Sequence, residues 1–89
     1  MPGSVRVELT YAMARELGVE HFEVEDAGTV ADVVAAARSR FGDRAEAFAE
    51  LTRVANVAVN GVLMSHRKGL RTPLQAGDRV TFVKAAAGG

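Results

Sequence analysis

The sequence predicts an α+β domain in which one main helix covers one face of a sheet of four to five strands. Three features carry that expectation. Residues Val5 to Leu9 alternate apolar and polar, the period of a half-buried strand. Val30, Val33, Val34, Ala37 and Phe41 recur at helical spacing. Two further apolar, β-branched runs, Val54 to Val59 and Val80 to Val83, are bounded by turn signals.

Taken in order, the first strand holds Val5, Val7 and Leu9 on one side. Tyr11 to Leu17 loses the alternation and reads as a connection closed by Gly18. In Val19 to Val24, Phe22 and Val24 share a face, and the short spacing implies a hairpin with the first strand. Asp26-Ala27-Gly28 is a turn. Thr29 reads as a helix N-cap, and Asp32 sits near the positive end of the helix dipole. Asp32 is one methylene shorter than the glutamate a capping box uses. Arg38 and Arg40 suit the C-terminal end of the helix, and Gly42 suits its stop.

Asp43 to Leu51 repeats a weaker helical pattern and reads either as a short second helix or as an irregular excursion. Val54 to Val59 reads as a well-buried central strand, Asn60-Gly61 as a hairpin turn, and Val62 to Met64 as the return. Residues 65 to 73 are polar and basic, a loop that Leu70 and Leu74 pin to the core. Gln75-Ala76-Gly77-Asp78 is a tight turn before the last strand, Val80 to Val83. The chain is read as a single domain, 1–89, with 84–89 as a flexible C-terminal tail.

Composition narrows the function. Eleven acidic residues balance eleven basic ones, so no whole-domain field draws the chain to nucleic acid or to anionic membrane. The five aromatics, Tyr11, Phe22, Phe41, Phe48 and Phe82, mostly fit core positions rather than a stacking platform. His66, Arg67, Lys68 and Arg71 form a local basic cluster, either a solvated loop or a binding patch. With no cysteine, thiol catalysis, disulfides and cysteine-ligated clusters are excluded, and a ferredoxin with them. His21 and His66 lack metal-ligand spacing. No run approaches a membrane span, and Met1-Pro2-Gly3-Ser4 does not open a signal peptide, so a cytoplasmic protein is expected.

The sequence closes on Gly88-Gly89, preceded by three alanines. Chain ends are often rich in small residues, so the pair gains meaning only from context. A free carboxylate is a poor electrophile and must be activated, typically as an acyl-adenylate. The activated carbon must then enter a partner's narrow site. Glycine, without a Cβ, admits that close approach. Such a chain needs no catalytic base, metal or nucleophilic side chain of its own.

The pattern Val59-Asn60-Gly61, then Pro73-Leu74-Gln75-Ala76-Gly77-Asp78-Arg79-Val80, then Gly88-Gly89, resembles the ThiS/MoaD sulfur carriers. These include the thiamine-pathway carrier and the small subunit of molybdopterin synthase. Tyr11-Ala12 and Arg15-Glu16-Leu17 look like the opening of the latter. The run Gly69 to Leu74 looks closer to carriers serving cysteine biosynthesis or secondary-metabolite thiolation. The two cues point to different branches. Lys84-Ala85-Ala86-Ala87 departs from relatives with prolines or bulky residues before the glycines.

The resemblance implies a ubiquitin-like β-grasp fold and a non-catalytic carrier. It implies that a ubiquitin-activating-type adenylyltransferase consumes ATP to activate Gly89, with no cofactor bound permanently. A sulfur donor then forms a thiocarboxylate, and a downstream synthase accepts the sulfur. Gly88 and Gly89 match the functional positions. The alternative is a ubiquitin-like modifier joined to lysines through Gly89, and a third reading is an interaction module with an incidental tail. Phe82, Val57 and Val59 are either docking or core residues. Arg71 and Arg79 either pair with an acidic groove on a partner or decorate the surface.

Overall fold

Alternation in the first strand, helical spacing in the middle and β-branched runs at the end build one sheet with helices packed against one face. A computed structural model of the chain describes residues 3–53, 55–64 and 69–84. The elements are β1 (Ser4–Glu8), α1 (Tyr11–Leu17), β2 (His21–Glu25), α2 (Val30–Phe41), α3 (Ala45–Arg53), β3 (Ala55–Val59), β4 (Val62–Met64) and β5 (Arg79–Lys84). The sheet order is β2-β1-β5-β3-β4. The β1–β5 pair is parallel and the other pairs are antiparallel. This is the expected β-grasp arrangement, with α2 as the main helix.

Residues opposite one another in neighbouring strands share a face. One row across the sheet is Val62, Val59, Val80, Val7 and Phe22. It faces the helices, and its last four members are buried. The row behind it is Leu63, Ala58, Thr81, Glu8 and His21, which faces away from the helices. That open face therefore runs from apolar at the β4 side to charged at the β2 side.

The segment from Tyr11 to Leu17 is a helix, not a plain connection. Thr10 caps it by accepting from the Met13 amide at 3.1 Å, and Gly18 ends it at φ 78°. That left-handed angle favours glycine. Met13 and Leu17, four residues apart, put one side of the helix into the core. The strand β1 thus reaches β2 through a helix rather than a tight hairpin turn. Asp32, though short, closes a full capping box with Thr29: its carboxylate accepts from the Thr29 amide at 3.1 Å. It also accepts from the Gly28 amide at 2.9 Å, because the Asp26-Ala27-Gly28 turn brings that backbone within reach.

Gly42 ends α2, and a 3-10 turn over Gly42–Arg44 leads into α3, which settles the second helical pattern as a helix. Phe48 on α3 is fully buried and joins an aromatic chain. Ring centroids stand 5.5 Å apart for Phe22–Phe41, 5.5 Å for Phe41–Phe48 and 6.1 Å for Phe48–Phe82. The chain links β2, α2, α3 and β5. Leu74 is buried and Leu70 packs on the core, as the pinned loop requires.

Two turns lock together at one end of the sheet. Asn60 and Gly61 have φ of 51° and 87°, the left-handed pair of a tight hairpin. Asn60 Nδ2 donates to Asp78 Oδ1 at 3.0 Å, and Asn60 Oδ1 accepts from the Arg79 backbone amide at 2.9 Å. Asp78 Oδ2 accepts from the Gln75 amide at 2.8 Å. The Gly77 amide donates to the Ser4 carbonyl at 2.9 Å. The Asn-Gly and Gly-Asp-Arg signatures, far apart in sequence, are thus one contact in space. It holds β5 in register with β1 and β3.

Phe48→Ala removes the ring that joins α3 to the sheet. The expected cost is about 3–5 kcal/mol, a large share of a small domain's stability. Urea unfolding followed by circular dichroism would measure it as a lowered midpoint with an unchanged slope.

Candidate functional site

The strand β5 carries the chain from the locked turns to the opposite end of the sheet. Lys84, expected to start the tail, is the last residue of β5 and pairs with Ala55. Residues 85–89, Gly88 and Gly89 among them, lie outside the described residues. So do His66, Arg67 and Lys68 of the basic cluster.

Lys84 lines an apolar hollow of about 300 Å³ with Thr10, Tyr11, Ala12, Leu51 and Ala55. Tyr11 forms its rim and is 78% exposed, so it is not the core residue the sequence suggested. The reason is helical phase. Met13 faces inward, and two residues earlier the direction has turned by about 200°. Arg15, one turn later, holds its guanidinium 5.8 Å from the Tyr11 ring centre. Tyr11 and Arg15 also border a second, shallower depression with Arg6, Glu8, Glu20 and His21.

Phe82 and Val59, named as docking candidates, are buried, as is Val57. They share the helix-facing side of the sheet, where period-two alternation puts them with Val80. They form core and offer no docking surface. Val62 and Leu63 are instead exposed, at 62% and 58%. The signal for this was their place in the short return strand of the Asn60-Gly61 hairpin, which nothing in the sequence provides with a further neighbour.

Arg79 is exposed on the open face and reaches Glu8 at 3.8 Å. Glu8 Oε2 also accepts from Arg6 Nε at 3.1 Å, and Glu8 Oε1 accepts from the Thr81 hydroxyl at 3.0 Å. Two guanidinium groups therefore share one carboxylate, and Glu23, opposite Arg6 on β2, adds a second carboxylate to the same face. Arg71 is exposed on the loop before Pro73, and no contact among the described residues joins it to Arg79.

The Thr81 hydroxyl, then the Arg6 hydrogen bond and the charges of Arg79 and Arg6, pull the Glu8 pKa below its ordinary value against a smaller opposing effect of desolvation. A carboxyl held charged is the opposite of a general acid prepared for catalysis. No group of three histidine or carboxylate side chains suited to a metal occurs among the described residues. Nor does any described helix have the length and apolarity to cross a membrane. At the Lys84 end the surface combines an aromatic rim, an apolar hollow and the cations Arg15 and Lys84.

Residues 9–89 match the profile of the ThiS family. The chain belongs to the ThiS family.

No curated protein matches the chain at a significant level. Solved structures do. The small archaeal modifier protein 1 of Methanosarcina acetivorans superposes with a TM-score of 0.75 at 17% identity, over 100% of this chain and 99% of that one. Its Haloferax volcanii namesake gives 0.73 at 21% identity, over 94% and 99%. Subunit 1 or 2 in the complex of the two subunits of molybdopterin-converting factor from Helicobacter pylori gives 0.60 at 22%, over 97% and 99%. At these identities the likeness is one of fold. The ThiS match spans α1, the locked turns and Gly88-Gly89, all the segments on which the sequence resemblance rests.

Because Glu8 titrates below its unfolded value, its partners stabilise the fold at pH above the ordinary glutamate range. That contribution is lost as pH falls through the lowered folded value. Glu8→Gln should therefore flatten the acid limb of the stability curve, below the ordinary glutamate range. Urea midpoints measured across that range for both proteins would check it.

Proposed function

We propose that the chain is a sulfur carrier that works through the carboxylate of Gly89. The observation that carries this reading is a ThiS-family match that runs through residue 89, on a fold whose central strand leads toward that end. In the cycle, the Gly89 carboxylate attacks the α-phosphorus of ATP on a ubiquitin-activating-type enzyme, and pyrophosphate leaves. A sulfide-level donor displaces AMP and forms the thiocarboxylate. The sulfur passes to an acceptor held by a synthase, and water returns the carrier to the carboxylate. Since activation consumes ATP, the cycle belongs in the cytoplasm.

The body supplies the handle. The five residues after Lys84 reach roughly 17 Å when extended. A partner that encloses Gly89 must therefore come close to the root of the tail. There it meets Tyr11, Arg15 and the apolar hollow, the residue types that anchor interfaces. Arg79 and Arg71 suit acidic groups on the same partner. The Helicobacter pylori neighbour comes from a complex of subunits 1 and 2 of molybdopterin-converting factor, which supports a role here as one subunit of such an assembly.

The modifier reading has its own support, since two structural neighbours are named as modifiers. Both readings use the same activated glycine, and mass separates them. Intact chain from its native cell should gain about 16 mass units where sulfur replaces oxygen. Ladders of adducts on lysines would favour the modifier.

Deletion of Gly89 should abolish ATP–pyrophosphate exchange by the activating enzyme while leaving the thermal midpoint unchanged. Undiminished exchange by the shortened chain would refute the carrier and modifier readings together. Tyr11→Ala should raise the KM for the carrier by about tenfold or more, the loss of a typical aromatic anchor.

A further inference from the structure

The two edges of the sheet differ in kind. On the outer strand β2, His21, Glu23 and Glu25 are exposed and Phe22 and Val24 are buried. Charged residues of this sort discourage a further strand from pairing. At the other edge β4 carries no charge, and it ends the sheet. Val62 and Leu63 are, with Tyr11, the exposed large apolar residues among those described.

In a two-residue hairpin closed by Val59 and Val62, hydrogen-bonded and non-bonded pairs alternate. Leu63, opposite Ala58, falls on a non-bonded pair, so its N–H and C=O face outward. Among the described residues the edge thus offers one outward donor and acceptor, with Val62 on the helix side and Leu63 on the open face. Ala58 beside Leu63 extends the apolar strip inward.

We propose that the outer edge of β4 is a strand-pairing site that takes an extended, apolar-patterned segment of the enzyme that activates the tail. This rests on the carrier reading above. A second copy of the chain is a poor occupant. A stable interface needs about 800 Å² per partner, roughly a seventh of this chain's 5705 Å². Two exposed side chains on a three-residue strand fall far short of that. An enzyme already holding the tail needs much less from this edge. Both β4 and β5 run antiparallel to β3, so they point the same way, with β3 between them. Leu63 is level with Thr81, three residues before the end of β5 at Lys84, so the edge and that end are about 14 Å apart, two strands across and three residues along. One enzyme surface can engage both, and each contact raises the effective concentration of the other. Main-chain pairing would supply affinity there, and pockets for Val62 and Leu63 would supply selectivity.

The test is amide hydrogen exchange on the full chain, free and bound to the ubiquitin-activating-type enzyme of the same genome with a non-hydrolysable ATP analogue. The Leu63 amide should exchange quickly in the free chain and slow by about tenfold or more in the complex. Glu23 on β2 should not change. In ATP–pyrophosphate exchange, Val62→Lys and Leu63→Lys together should raise KM for the chain about tenfold and leave kcat intact. Normal pyrophosphate exchange with no slowing at Leu63 would overturn the edge while sparing the carrier reading. Slowing that appears in the free chain and grows with its concentration would overturn it in favour of a second copy. An unaltered chain that supports no pyrophosphate exchange at all would remove the carrier reading and this proposal together.

Discussion

The structure depends on one placement: β5, the last strand, lies between β1 and β3 in the middle of the sheet. Every strand pair except β1–β2 and β3–β4 runs through it. Its register is held where Asn60, Gln75, Asp78 and Arg79 bond to one another and Gly77 bonds back to Ser4. A shift of one residue would turn Val80 and Phe82 out of the core and bring Thr81 in. The core and the direction in which β5 runs to its end at Lys84 are therefore fixed by the same contact. The strand that completes the fold is also the one that Gly88-Gly89 follow in sequence.

The helices serve this arrangement in unequal ways. The aromatic chain from Phe22 through Phe41 and Phe48 to Phe82 ties α2 and α3 to the sheet. The short helix α1 sets Met13 and Leu17 in the core and turns Tyr11 outward at the end of the sheet where β5 finishes. Seven residues are too few to make a stable helix alone. The Thr10 cap, the left-handed Gly18 and the burial of Met13 make it one here. Its contribution to the surface is a rim of tyrosine and arginine beside Lys84.

Much of this was legible in the sequence because its signals were local and mutually consistent. Alternation identified β1, helical spacing identified α2, and Asn60-Gly61 identified the hairpin. The segment Tyr11 to Leu17 was misread because seven residues carry barely two turns of periodicity. Its better signals were the Thr10 and Gly18 caps around Met13 and Leu17. The apolar docking candidates, Val59 and Phe82, are core for another reason. A valine or phenylalanine in a strand has the same local pattern whether its face is covered or open, and only the sheet order decides. That order put Val59 and Phe82 under the helices and left Val62 and Leu63 at an edge. The sharing of Glu8 between Arg6 and Arg79 was hidden likewise, since it joins residues that only the parallel pairing brings together.

That parallel pairing also bears on synthesis. Arg6 pairs with Arg79, so the first strand waits for nearly the whole chain to leave the ribosome before its second neighbour arrives. Contacts between such distant positions form slowly. A nascent or truncated chain lacks the middle of its sheet and leaves β1 and β3 with unfilled sides, a form that proteases and chaperones recognise.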